Sequence, residues 1–304
     1  MSTTPKIAYM ELITGSIIFG MLGIFVDQLD AVPTLPMIFY KQFFGLLSLM
    51  VFIIIAGKLA TIKPHKKKRY LLLLGIINTT TLLTYFICIR YTSFSVAILL
   101  LYTAPMYVTL LSAPILKETI TRKGLVALCF SLIGLLFIVD LEAGIEGLRA
   151  GGSEYLIGIT AGILSGLSFG IEIINIRYIK DDYSSVAQLF WYTLIGIVLL
   201  LPFAGDVSKP VLIDNLGMLI LFGAVNTALA ALLYVSGIAQ IKAQTGSILA
   251  LFEPVSGIFF DFTVVHTPIH ANTLIGCFFI LLGAAMAVTE KSSKIFGKYF
   301  KIQV

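Results

Sequence analysis

The chain has 304 residues, of which 58% are hydrophobic and only 12% charged, and its mean hydropathy is +1.00. Soluble domains carry roughly 45–50% apolar and about 25% charged residues, so this chain lacks the polar surface to coat itself in water and reads as an all-α, polytopic integral membrane protein. The formal net charge of +5 would raise nucleic acid as a partner for a soluble chain, but here the basic residues lie between apolar stretches and no nucleic acid is expected.

Ten apolar stretches follow in chain order, at 7–27, 34–56, 70–90, 95–116, 124–139, 156–178, 185–203, 216–239, 244–265 and 272–289. A span needs about 20 apolar residues, so ten transmembrane helices use most of the length and leave short loops with no room for a soluble domain. The first stretch is longer than a signal-peptide core, has no small-x-small cleavage site, and runs through Asp27 and Asp30 into the second, so it reads as a retained helix. Cys88, Cys129 and Cys277 each sit in an apolar stretch, which supports neither a disulfide scaffold nor a thiolate metal site. His266 and His270 stand four apart, but Pro268 between them breaks the turn, and no metal or cofactor is expected.

Lys and Arg are distributed one-sidedly over alternate loops. Lys6, the run Lys58, Lys63, Lys66, Lys67, Lys68 and Arg69, then Lys117, Arg122, Lys123, Arg177, Lys180, Lys242, Lys291, Lys294, Lys298 and Lys301 make 17 on one side. Only Arg90, Arg149 and Lys209 oppose them, and Lys41 lies inside a span. The bias predicts cytoplasmic termini in a multi-pass plasma-membrane protein. Lys66 to Arg69 is most simply a topology signal that also meets anionic headgroups.

The two halves repeat. Gly75-Ile-Ile-Asn78-Thr79 matches Gly223-Ala-Val-Asn226-Thr227 at an offset of 148; Pro105 matches Pro254 and Gly134 matches Gly283 at 149; Phe19-Gly20 matches Phe169-Gly170 at 150; Phe39 and Gly45 match Phe190 and Gly196 at 151. Five spans per half is an odd number, so the second half enters the membrane from the opposite side, giving inverted repeats, a pattern typical of transporters. The expected organisation is a first repeat at 1–140, an outer linker at 141–155, a second repeat at 156–290 and a basic tail at 291–304.

With these features the sequence resembles the drug/metabolite transporter superfamily, specifically EamA-type carriers of ten helices in two five-helix repeats. The resemblance rests on TGSIIFG at 14–20 and SGLSFG at 165–170, on AILLLYTAPMYVTLLSAPILKETI from 97 and GSILALFEPVSGIFF from 246, and on LIGLLFIV from 132 and LLGAAMAV from 281. Lys41 stands where the family often shows Arg, His266-Thr267 stands where the second repeat commonly carries Gly-Glu, and Glu118 keeps the acidic residue in the first repeat only. The resemblance implies a secondary carrier that moves a small organic metabolite, such as an amino acid, by alternating access.

Polar side chains in hydrocarbon are costly and usually face a bundle interior or a wet cavity. In the sixth helix Ser165, Ser168, Glu172 and Asn175 form one polar stripe, while Gly158, Gly162, Gly166 and Gly170 recur every four residues on another face and read as a close-packing strip. Glu172 is either a cavity residue or a partner of nearby Arg177. Glu253 precedes Pro254, whose missing N–H leaves a carbonyl near Ala250 without its helical partner; this is either a ligand or proton site or a packing kink. Asn78 with Tyr85, and Asn226 with Tyr234, suit a pocket for a small amphipathic molecule, or helix-to-helix hydrogen bonds. Tyr102 sits beside Pro105, the counterpart of Pro254. Trp191 faces either cavity or lipid, and Lys41 either snorkels or holds a substrate carboxylate.

The expected function is export of small organic metabolites, with a proton coupled through Glu253 or Glu172. The expected partners are a small-molecule substrate, protons and the bilayer. A carrier or flippase of lipid-linked substrates is the alternative. An intramembrane enzyme ranks last, since no HExxH is present, and no GxxxxGK[ST] loop marks an ATP-driven machine. Oligomeric state stays open, because the glycine strip could pack within one chain or between two.

Overall fold

The computed structural model describes residues 5–139, 141–150 and 152–289, and these are helical with no strand among them. The expected basic tail at 291–304 lies outside the described residues. Among the described residues, nine helices are long and apolar enough to cross a membrane: Lys6–Gln28, Thr34–Ile55, Lys68–Tyr91, Phe94–Leu116, Gly152–Tyr178, Ser185–Phe203, Leu216–Gln240, Ala243–Val265 and Ala271–Val288. The fifth apolar stretch forms a shorter helix of 17 residues, Arg122–Ile138. Part of the expected outer linker is itself helical, Leu141–Ala150, and is tied to the sixth helix by the Tyr155 hydroxyl, which donates to the Gly144 carbonyl at 2.9 Å.

Helix starts follow local chemistry. Ser93, Thr121 and Ser184 each accept a backbone N–H, from Val96, Gly124 and Ala187, at 3.2, 3.0 and 3.2 Å. Breaks fall where the backbone cannot continue. The fourth helix divides into Phe94–Leu101 and Ala104–Leu116 ahead of Pro105, and the ninth into Ala243–Leu249 and Phe252–Phe260 ahead of Pro254. The first divides at Gly20-Met21.

Two compact units form, and each draws helices from both sequence halves. One comprises Met1–Thr79, Ile179–Gln240 and Phe252–Pro268; the other comprises Thr80–Tyr178, Ile241–Leu251 and Ile269–Val304. In the second unit the fifth and tenth helices cross backbone to backbone. A Cβ on Gly134 would lie 2.5 Å from the Gly276 carbonyl oxygen and 2.8 Å from the Ile280 nitrogen. A Cβ on Gly283 would meet Ser131 and lie 2.6 Å from the Ala127 carbonyl oxygen. Gly134 and Gly283 are repeat mates at 149, and so are Ala127 with Gly276 and Ser131 with Ile280. The crossing is therefore related to itself by the repeat. In the same unit the sixth helix lays Gly158, Gly162, Gly166 and Gly170 against Tyr91-Thr92, Cys88 with Leu100, Leu100 with Thr103, and Ala104 with Tyr107. This is the close approach expected of the four-residue strip.

The first unit repeats the logic. Gly223 of the eighth helix packs on the second, where a Cβ would lie 2.5 Å from the Gly45 nitrogen and 2.9 Å from the Phe44 carbonyl carbon. Its mate Gly75 faces Ile195, the mate of Phe44 at 151. The eighth helix departs from its counterpart in one respect, since Gly223–Ala230 is a π-helix whereas Lys68–Tyr91 is α-helical throughout. A wide turn accommodates one extra residue. Asn226 and Tyr234 are eight apart where Asn78 and Tyr85 are seven apart, so the π segment absorbs the residue by which the repeat offset grows from 148 to 149.

Placing a methyl group in these crossings forces helices apart. Gly134→Ala and Gly283→Ala are each expected to destabilise the protein by about 1–3 kcal/mol in detergent. Gly217→Ala, with nothing within 4 Å, is expected to leave the thermal midpoint unchanged or slightly raised. Equal midpoints for all three would contradict the crossing.

Candidate functional site

The second helix carries Lys41 into the first unit. Its side chain is 8% exposed, and its ammonium donates to Asn226 Oδ1 at 3.1 Å and lies 4.9 Å from the centroid of the Phe222 ring. Phe222 stacks on Phe25 with centroids 4.7 Å apart, so an aromatic floor supports the cation. Asn226 sits on the π segment, and its side chain reaches Lys41. The direct hydrogen bond of this buried charge goes to a neutral amide, a weaker partner than a carboxylate. The Glu253 carboxylate lies within electrostatic range of Lys41. It belongs to Phe252–Phe260, the second segment of the ninth helix, where the Glu253 carbonyl accepts the Ser256 hydroxyl at 2.9 Å and Gly20 packs on the same carbonyl.

Around this pair the first unit holds further buried polar atoms. Both side-chain atoms of Gln42, Asn226 Nδ2, Thr193 Oγ1, Thr227 Oγ1 and Ser16 Oγ are enclosed without a hydrogen-bond partner. Such groups are rare in native interiors, and each calls for an explanation such as a bound water or ligand. Gln42 packs against Gly196, where a Cβ would lie 2.8 Å from its Oε1. Gln42 and Thr193 escaped the sequence reading, although the offset of 151 that pairs Gly45 with Gly196 also pairs these two. Tyr234 is buried and meets Phe19 edge-on at 5.6 Å, and Asn78 is half-buried. Trp191 donates from Nε1 to the Ile62 carbonyl at 2.8 Å, anchoring the connection between the second and third helices.

The second unit collects the rest. Tyr85, Tyr102, Ser168, Glu172 and Asn175 are all buried within it, so the polar stripe of the sixth helix points inward, and Pro105 is buried at the break of the fourth helix. The two carboxylates considered for coupling thus fall in different units, Glu253 in the first and Glu172 in the second. Arg177 donates from Nε to Glu118 Oε1 at 2.9 Å. The other oxygen of Glu118 accepts the Ala243 N–H at 2.8 Å and so caps Ala243–Leu249, the first segment of the ninth helix, from outside it. Gln244 in that segment donates to Thr109 Oγ1 at 3.3 Å. Among the described residues no group of three His, Cys, Asp or Glu side chains is placed to hold a metal ion.

This arrangement of repeats, broken helices and buried charge has relatives. The sequence matches the EamA-like transporter family twice, over residues 6–140 and 156–289. The chain belongs to the EamA-like transporter family. An uncharacterized transporter of Archaeoglobus fulgidus is 29% identical, with 92% of this chain and 95% of that protein covered. The uncharacterized transporter YoaV of Bacillus subtilis is 26% identical, with 83% and 86% covered. Solute carrier family 35 member G1 of Mus musculus is 19% identical over 68% of this chain and 58% of its own. A protein crystal structure sharing 16% identity superposes with a TM-score of 0.75, covering 92% of this chain and 96% of that one, and so shares the fold. This EamA-family chain is accordingly a multi-pass membrane transporter.

Glu118 tests the cap and ion pair separately. Glu118→Ala removes both and is expected to cost about 2–4 kcal/mol, while Glu118→Gln keeps an acceptor for the Ala243 N–H and is expected to cost about half as much. Thermal unfolding of the two variants in one detergent reads the difference. Identical losses would assign the whole effect to the ion pair.

Proposed function

We propose that this EamA-family protein is a secondary transporter of the plasma membrane, with ten spans and both termini in the cytoplasm, that exports small organic metabolites such as amino acids or related compounds by alternating access. The observation that carries the reading is Lys41, a cation buried among apolar spans whose direct hydrogen bond goes to the neutral Asn226. A charge so placed is costly unless it binds something. A substrate carboxylate offers Lys41 a charge-assisted bond stronger than the one to Asn226 Oδ1, so substrate takes the place of the amide. Asn226 Nδ2, Thr227 and Gln42 supply further polar contacts beside it. Glu253 balances the charge of Lys41 when no substrate is bound, and binds a substrate ammonium or a proton when one is. Asn78 and Tyr234 in the same unit furnish further amphipathic contacts, while the second unit has its own buried polar set of Tyr85, Tyr102, Ser168, Glu172 and Asn175, in which Glu172 is the other coupling candidate.

Support for the topology comes from bonds between connections that the alternating pattern puts on one side. In the first unit Lys67 pairs with Asp182 at 2.8 Å, joining the second-to-third and sixth-to-seventh connections. In the second unit Lys123 at the start of the fifth helix donates to Thr289 Oγ1 at the end of the tenth at 2.8 Å.

The test is uptake of a radiolabelled panel of amino acids and organic acids into proteoliposomes, with and without a pH gradient. Lys41→Gln is expected to lower uptake of carboxylate-bearing substrates at least about tenfold. Glu253→Gln is expected to abolish the response to the gradient. Gradient-driven uptake intact in both Glu253→Gln and Glu172→Gln would remove proton coupling through these residues. No uptake of any panel member by folded protein would shift the reading to lipid-linked substrates.

A further inference from the structure

The connection at 58–69, KLATIKPHKKKR, holds six cations and no carboxylate. A topology signal needs only charge, so a loop with that single role could remain loosely held. This one is fastened at four points. The Ile62 carbonyl accepts Trp191 Nε1–H; the His65 N–H donates to the Tyr183 hydroxyl at 3.0 Å; that hydroxyl donates to the Lys66 carbonyl; and Lys67 pairs with Asp182. Tyr183 is itself 2% exposed, its ring 4.7 Å from the His65 imidazole, and its carbonyl accepts the buried Gln188 side chain at 3.1 Å. Lys67 takes the left-handed conformation, with φ of 51°.

The fastening leaves a defined set of charges outward. Asp182 is engaged by Lys67, and Asp181, the neighbouring carboxylate on the same turn, lies 3.8 Å from Lys180. Lys63, Lys66, Lys68 and Arg69 are exposed, and among the described residues none of them is in an ion pair. Beside them, Ile54, Ile55 and Leu59 are exposed at 57%, 82% and 49%. Arg69 also lies 5.2 Å from the centroid of the Tyr70 ring, and exposed aliphatic side chains followed by cations outside any ion pair match the boundary between acyl chains and headgroups.

We propose that this fastened loop is a docking surface for the phosphodiester headgroups of anionic phospholipids, holding one in a fixed cationic frame. The proposal is independent of the transported substrate. Each cation near a charged surface adds favourable interaction, and four held in one frame select an anionic over a zwitterionic lipid beyond what diffuse attraction gives.

Trp191 is the chain's single tryptophan and is bonded to the loop, so it reports on lipids beside it. The experiment reconstitutes the full chain in bilayers containing acyl-brominated phosphatidylglycerol or phosphatidylcholine and compares quenching of Trp191 fluorescence. Phosphatidylglycerol is expected to be preferred about fivefold or more. The variant Lys63→Gln/Lys66→Gln/Lys68→Gln, which retains the other basic loops as topology signals, is expected to bring the preference to about one. Tyr183→Phe, which leaves every charge in place and releases the loop from its hydroxyl, is expected to lower the preference at least about twofold. Equal quenching by the two lipids in the wild type overturns the proposal. A preference lost with the lysines but untouched by Tyr183→Phe overturns it in favour of diffuse attraction. A preference abolished by inorganic phosphate, but not by chloride at the same ionic strength, overturns it in favour of a soluble phosphate site.

Discussion

Backbone approach at repeat-related glycines is the constraint on which the architecture depends. Lipid is as apolar as a leucine side chain, so burial alone gives helices in a bilayer little reason to associate, and packing contacts must supply the difference. These fall off steeply with distance, which places a premium on positions without a Cβ. Gly134 and Gly283 bring the fifth and tenth helices together, Gly75 and Gly223 seat helices on Ile195 and Phe44, and Gly20 and Gly170 seat the first and sixth helices on the ninth and fourth. For Gly134 with Gly283 and for Gly20 with Gly170, the residues met by one glycine are the repeat mates of those met by the other, and Gly75 meets Ile195, the mate of Phe44, which is one of the residues that Gly223 meets. This is also why the compact units do not coincide with the sequence halves, since the complementary surface for a helix of one repeat lies on a helix of the other.

A second constraint acts on the backbone itself. In hydrocarbon every main-chain polar group needs an internal partner, so a break in a spanning helix is tolerated only where protein or water can serve the released groups. Pro105 and Pro254 open their helices at equivalent positions, and the turns reclose with shorter-range bonds such as Leu251 N–H to the Ile248 carbonyl at 3.2 Å. The π segment is a different solution. It keeps the helix continuous while absorbing one residue, and the amide it presents, Asn226, is the one that Lys41 engages.

The helices and the two-repeat organisation were legible because they rest on local patterns, apolar length and glycine spacing. The break at Ala250 could be foreseen because proline acts on a carbonyl four residues earlier. Other features depend on where distant elements meet. The Arg177 guanidinium bonds Glu118, 59 residues away, a partner that no local pattern marks. Trp191 could not be placed by helical phase because its partner is a loop carbonyl with no sequence signature. The π segment left a trace, since Asn226 to Tyr234 is one residue longer than Asn78 to Tyr85, but only the backbone shows that the extra residue widens a turn.

The amides and tyrosines of the site follow the repeat, whereas its charged positions are those where the repeat is broken. Lys41 has Tyr192 as its mate, Glu172 has Leu22, and Glu253 has Ala104. The last pair explains how this is tolerated. Gly20 packs on the carbonyl oxygen of Glu253, where a Cβ would lie 2.8 Å away, and Gly170 packs on the carbonyl oxygen of Ala104, where it would lie 3.2 Å away. Both crossings use the main chain, which every residue supplies. Packing therefore fixes the backbone at 104 and 253 and leaves the choice of side chain open, so a carboxylate can enter one copy and a methyl group the other without disturbing either crossing. A symmetric frame built from backbone contacts can in this way carry an asymmetric set of charges.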